Sequence, residues 1–142
     1  MSKSNAYETA ILELLFNATP IANIADNAGT SPLTNLYVSL HTADPGETGT
    51  ATTNECAYTS YARVAVARTS GGWTVTGNSV SPVSTISFPA ATGGTESATH
   101  LGIVSTASGA GVLYYSGTIT PNISISSGVT PQLTTASTIT ED

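Results

Sequence analysis

The segment LYVSLH, residues 36–41, shows the pattern that decides the fold. In it Leu36, Val38 and Leu40 alternate with Tyr37, Ser39 and His41. A period of two places successive side chains on opposite faces of an extended chain. The segment therefore predicts a half-buried β-strand.

Similar short runs follow LYVSLH and are separated by Gly, Pro, Ser and Asn. The run ARVAVAR at 62–68 alternates in the same way, and Trp73 with Val75 and Ile86 with Phe88 continue the pattern. Seven or eight such runs, with turn residues between them, are typical of an all-β domain. We therefore predict a mainly β fold, an antiparallel β-sandwich of jelly-roll-like topology with a short N-terminal α-helix.

Toward the C-terminus, three β-type segments are separated by turn residues. The runs are VLYYSGTIT, NISIS and QLTTASTIT, with Pro121 and Asn122 between the first two and Ser127 and Gly128 between the last two. Turn residues at such short intervals predict three neighbouring antiparallel strands.

The N-terminal region has a helical period instead. Asn5 and Glu8 have the spacing of a capping box, and Pro20 ends the pattern, which predicts a helix over about residues 5–17. An apolar stripe runs along it, formed by Tyr7, Ile11, Leu14, Leu15 and Ala18. One domain is expected, a β-sandwich at 33–142, preceded by a helix and connector arm at 1–32.

Two roles are open for this helix. It can cover an open end of its own β domain, or it can reach with its connector to a neighbouring subunit or to the surface to which the protein binds. In the second case Tyr7, Ile11, Leu14 and Leu15 are the candidate interface residues.

Composition excludes several classes of protein. Three basic and nine acidic residues give a net charge of −6, which does not suit binding to nucleic acid because each neutralised phosphate needs a cation. A single cysteine forms no internal disulfide. We expect no membrane segment, because no long apolar run occurs and Glu8 and Glu13 interrupt the N-terminal one.

The segment 42–60 is longer than a structural connection needs and carries three acidic residues, Asp44, Glu47 and Glu55. Long loops on rigid sheets commonly make functional contacts, so these three are also candidate interface residues. Catalysis or calcium binding by them is disfavoured against solvated loop charges, since no alternating ligand pattern accompanies them.

The remaining reactive residues show no catalytic pattern. His41 and His100 lack a second ligand at metal spacing, Cys56 lacks a neighbouring activator, and no nucleophile elbow occurs. Tyr37, Trp73, Tyr114 and Tyr115 could stack on a sugar, although core or interface positions are the commoner role of aromatic residues in strands. We therefore expect no enzyme and no catalytic, metal or cofactor site.

Several segments together resemble a group of small bacteriophage virion proteins. They are LYVSLHTADPGETG, NECAYTSYARVAVART, VSTISFPAAT, THLGIVSTASGAGVLYYSGTIT and SGVTPQ, within residues 4 to 140. Proteins of this group have a short helix before a β domain. The resemblance implies a component of the phage particle, described variously as a head decoration, minor tail or tail fibre protein.

Within that group we expect a capsid decoration or cement protein, located on the virion and bound to the major capsid protein. The chain is compact and lacks the heptads or repeats of a fibre shaft. Self-association is expected, as a homotrimer by analogy with shell decoration. The alternative is a tail fibre or minor tail protein that joins other tail components and binds a host receptor or glycan.

Overall fold

The computed structural model describes residues 5–21 and 32–141. The chain is mainly β, with 40% strand and 10% helix, and it fits the predicted class of an antiparallel β-sandwich with a short N-terminal helix. Within the described residues the elements are α1 (Asn5–Asn17), β1 (Asn35–His41), β2 (Val64–Ala67), β3 (Trp73–Thr76), β4 (Ser79–Pro82), β5 (Ile86–Ser87), β6 (Glu96–Val104), β7 (Leu113–Ile125), β8 (Gln132–Leu133) and β9 (Ile139–Thr140).

The strands form three sheets. The largest has the order β2-β1-β6-β7, a second has the order β3-β4-β9, and β5 pairs with β8. The pairs β1–β6 and β6–β7 are antiparallel, and in the first of them His41 lies opposite His100. The jelly-roll connectivity remains a prediction.

The chain divides into two compact units. Unit 1 comprises Met1–Asn35, Val66–Thr85 and Leu133–Asp142, and unit 2 comprises Leu36–Ala65 and Ile86–Gln132. The predicted division at residue 32 remains a prediction, and connector residues 22–31 lie outside the described part of the chain.

In unit 1, α1 packs on the β3–β4 hairpin. The Phe16 and Trp73 rings meet edge to face with centroids 4.7 Å apart. The buried Arg68 donates hydrogen bonds to the carbonyl oxygens of Leu14 and Leu15 in the last turn of α1. A cation suits this position, because the last carbonyls of a helix have no partner within it and carry partial negative charge.

The buried side of α1 differs from the apolar stripe read in the sequence. Leu12 and Phe16 are 0% exposed, whereas Tyr7 is 45% exposed. Ile11, Leu14 and Leu15 are half-buried. The helix therefore covers β strands of its own chain through Leu12 and Phe16, while an interface role of the stripe stays a prediction. The helix bounds are confirmed, and the Asn5 side chain of the expected capping box lies outside the described part.

Unit 2 is built around β1. Leu36, Val38 and Leu40 are buried as the alternation indicates, but Ser39 and His41 are also 0% exposed. The prediction of a half-buried strand is therefore wrong for β1. The reason is tertiary: β1 lies between two other strands of its sheet, and the loop after it supplies a hydrogen-bond partner to the His41 ring.

The extent of strand β7 also differs from the sequence prediction. Residues 113–125 form one strand across the Thr120–Pro121 bond, where two strands were predicted. Its pairing with β6 shifts register between Ala98 and His100, so the proline lies at an irregularity. Proline is tolerated at such a place and on an edge strand, because no ladder hydrogen bond is lost there.

Candidate functional site

A groove of about 440 Å³ lies on unit 2. One wall is the turn after β1, with Asp44, Gly46 and Glu47, and the other is the start of β7, residues 113–116. Two acidic residues and two tyrosines, Tyr114 and Tyr115, therefore line the same groove. All four residues were candidates from the sequence, but in separate contexts.

The first wall belongs to a loop that we call the acidic loop, residues 42–55. The Asp44 side chain accepts a hydrogen bond from the Gly46 backbone N–H at 2.9 Å, which closes a local turn. The Asn54 side chain donates to the Asp44 carbonyl oxygen at 3.0 Å and so ties the two ends of the loop together. The Asp44 and Glu47 side chains are exposed, as a binding surface requires.

The second wall is formed by β7, whose side chains alternate between half-buried and exposed positions. Tyr114 and Ser116 are exposed, whereas Leu113 and Tyr115 are half-buried. In the described part of the chain β6 is the one strand that pairs with β7, so β7 is at an edge of its sheet. The groove therefore offers a tyrosine ring, a hydroxyl and strand-edge backbone groups beside two carboxylates.

The third predicted acidic residue does not line the groove. Glu55 forms a two-pronged ion pair with Arg63, with the Arg63 Nε and Nη2 atoms 2.6 and 2.8 Å from the two carboxylate oxygens. The side chains of Arg63 and Glu55 are 2% and 15% exposed. Arg63 also donates to the carbonyl oxygens of Thr106 and Gly109, so it joins the acidic loop to the turn that precedes β7.

Further hydrogen bonds of Tyr61 and Glu96 hold the acidic loop and the residues after it in place. The Tyr61 hydroxyl donates to Glu55 at 2.9 Å and accepts from the Leu40 N–H at 3.1 Å. Burial, with Glu55 adding to it, raises the pKa of Tyr61, so the phenol stays protonated and can donate. The Glu96 carboxylate accepts from the Ala57 and Tyr58 N–H groups. These residues hold the loop that carries the groove.

His41 belongs to the same support. Its Nδ1 atom is 2.8 Å from the Thr53 carbonyl oxygen, and its Nε2 atom is 2.8 Å from the Ser39 hydroxyl. A serine beside an imidazole resembles a nucleophile with its base, but both side chains are 0% exposed and no substrate can reach the hydroxyl in this structure. We assign this pair to the structure of the loop.

Cys56 is buried beside the same loop. Burial first, and then the nearby Glu96 carboxylate, raise the pKa of its thiol to about 12. The thiol is therefore protonated at neutral pH and is a poor nucleophile.

The supporting residues were not recognised from sequence as partners. Glu55 and Arg63 are eight positions apart on opposite sides of a turn, a spacing that predicts no particular contact. The available signal was the scarcity of cations: with three basic residues in the chain, an arginine within a strand is a candidate for a buried pair. The predicted interface residues of α1 belong to unit 1, so the structure places them on a different unit from the groove.

The described residues, 5–21 and 32–141, contain no group of three or more His, Cys, Asp or Glu side chains placed to hold a metal ion. No helix among them has the length and apolar character needed to cross a membrane.

The groove favours binding of a hydroxyl-rich ligand. Carboxylates accept hydrogen bonds from hydroxyl groups, and an exposed tyrosine ring can cover an apolar face of a ligand. The fold and the groove together define a β-rich protein with an exposed groove lined by acidic residues and tyrosines.

The comparison with known families identifies the kind of structural protein. A family model described as Podophage GP4 fiber I protein gp80 matches residues 2–140, and the chain belongs to that family. It is thus a phage structural protein of the tail fibre type, which implies a place on the virion. No match was found among curated proteins. The family agrees with our alternative prediction, and the capsid decoration role gains no support from it.

Proposed function

We propose that this protein is a tail fibre component that contributes to host attachment by binding a saccharide of the host surface in the groove. The observation that carries the proposal is that Asp44, Glu47 and Tyr114 are exposed and line the same surface groove. The family membership supports the fibre context. The proposed role is binding without catalysis, with other tail components and copies of the chain as partners.

Charge narrows the class of saccharide. The chain carries a net charge of −6, and two acidic side chains line the groove itself. An anionic polymer such as a polyuronate would be repelled by this field, whereas a neutral or amine-bearing glycan would not. We therefore propose a neutral or amino-sugar-containing surface polysaccharide as the ligand.

Binding of fluorescently labelled protein to host cells, and to polysaccharide purified from them, tests the proposal. Tyr114→Ala and the double variant Asp44→Asn with Glu47→Gln should each weaken binding about tenfold or more, because each removes one half of the contact surface. Val112→Ala is the matched control. Val112 is 55% exposed and lies two residues before Tyr114, but it does not line the groove.

Equal binding by the wild type and both groove variants would contradict the proposed site. Absence of binding to host cells by the wild type, together with binding to purified capsids, would favour the decoration role instead.

A further inference from the structure

The two histidines of the chain lie directly opposite each other on β1 and β6. Residues opposite each other in an antiparallel pair have their side chains on the same face, with Cβ atoms about 4.5–5.5 Å apart. His41 is completely buried, and His100 is half-buried. The charged and titratable groups that face His41 are Glu55, Arg63 and His100.

His41 is connected to the groove by a short path of hydrogen bonds. Its Nδ1 atom lies 2.8 Å from the Thr53 carbonyl oxygen, within hydrogen-bonding distance. The next residue, Asn54, accepts from the Thr42 N–H at 2.8 Å and donates from its side chain to the Asp44 carbonyl oxygen. The imidazole therefore fixes the end of the acidic loop that positions Asp44 in the groove wall.

A second proton on His41 places a positive charge on a completely buried ring. Ser39 can reorient, because its hydroxyl also lies 3.3 Å from the Gly102 carbonyl oxygen and could then accept from Nε2. The added positive charge, however, would be buried opposite His100, and the Arg63 cation also repels it. The Glu55 carboxylate attracts this charge, but both of its oxygens are bonded to Arg63, and the desolvation of the buried ring outweighs the attraction.

The direction of the pH effect follows from this burial. Desolvation is the main cause that lowers the pKa of His41 from 6.5, while the Thr53 hydrogen bond and Glu55 oppose it in part. When residues 42–55 are released and the His41 ring is in water, the ring binds a proton more readily than in the closed form, in which these residues cover it. Stability of the closed form is therefore lost as the pH falls below about 6.5, until the lowered value is reached.

We propose that His41, opposed by His100 and Arg63, makes the acidic loop acid-sensitive: protonation favours release of residues 42–55, which lets water reach the ring and dismantles the groove. Residues 42–55 are the segment that can move, because Ser39, Gly102 and His100 on the other sides of the ring lie within the hydrogen-bonded strands β1 and β6. The consequence for ligand binding rests on the proposed function. The loop release itself does not.

Hydrogen exchange of the full-length protein, measured by mass spectrometry and corrected for intrinsic pH dependence, tests this directly. Protection of the amides in 42–56, including Thr42 and Cys56, should fall by up to tenfold for each pH unit below about 6.5. Amides of the β3–β4 hairpin in unit 1 should keep their protection over the same range. No ligand is needed, so failure of saccharide binding would leave this result intact.

Two variants identify the group responsible. His41→Asn keeps an N–H that can donate toward Thr53 but cannot titrate, so protection of the loop should become independent of pH between about 5 and 7. His100→Gln keeps His41 and removes the opposing ring, which raises the lowered pKa of His41 toward 6.5, so the loss of protection below about 6.5 should become smaller and level off at a higher pH. This variant also tests the proposal if His41→Asn does not fold. Unchanged loop protection at pH 5 in the wild type, or parallel loss in the β3–β4 hairpin, would overturn the proposal, as would an unaltered pH profile in the folded variants.

Discussion

Gly102 has no side chain, and the Ser39 and His41 side chains, which support the acidic loop, occupy the space beside it. It lies opposite Ser116 on β7, and a Cβ atom added to it would lie 2.6 Å from the Ser39 hydroxyl and 2.7 Å from His41 Nε2. Both contacts are shorter than packed atoms tolerate, and both partners are buried. The absence of a side chain at residue 102 is therefore a condition for the Ser39–His41 hydrogen bond.

Gly102→Ala should lower the free energy of unfolding by about 1–3 kcal/mol, the usual cost of overfilling a packed interior. Gly117→Ala is the matched control, because it is in the neighbouring strand and an added Cβ would meet nothing within 4 Å. Its effect should stay within about 0.5 kcal/mol. Urea denaturation followed by far-ultraviolet circular dichroism measures both. Equal effects of the two substitutions would contradict the packing described for Gly102.

At the same scale, the sequence predicted which acidic residues lie on the loop but not which of them form ion pairs. Asp44 and Glu47 were expected on an exposed loop, and they are exposed. Glu55 was grouped with them because it shares the loop, yet it belongs to the buried pair with Arg63. Spacing along the chain describes helices and strands, whereas this pair is formed by the return of a long loop, which has no sequence period.

At the scale of elements, α1 is a part of unit 1 with a defined buried side. The sequence predicted its bounds, since the helical period and Pro20 are local signals. It did not predict that Leu12 and Phe16 would be the buried residues, because the apolar stripe is broad and the choice depends on where Trp73 lies. The merging of two predicted strands into β7 has a similar cause, since Pro121 is tolerated at an edge irregularity.

Two leucines of α1 test this packing. Leu12→Ala should lower the free energy of unfolding by about 2–5 kcal/mol, because Leu12 is 0% exposed and its loss leaves a cavity. Leu14→Ala changes the same residue type at a half-buried position and should cost about 1 kcal/mol or less. The single tryptophan, Trp73, reports on unit 1 during denaturation through its fluorescence. A larger loss for Leu14→Ala would show that the apolar stripe is the buried side.

At the scale of the whole molecule, the chain combines a unit that holds the N-terminal helix with a unit that carries the groove. The sequence predicted the mainly β class correctly, because alternation and turn residues are repeated along most of the chain. It also indicated a phage particle component, which the family membership supports. The preference for the capsid rested on the absence of a visible shaft, and that absence did not separate a fibre component from a decoration protein.

We propose that this protein acts in a tail fibre. Quantitative mass spectrometry of purified virions, combined with immunogold electron microscopy, measures its copy number and its place together. We expect a small number of copies, far below that of the major capsid protein, with gold particles confined to the tail. Copies comparable in number with the major capsid protein, with gold distributed over the head, would contradict it.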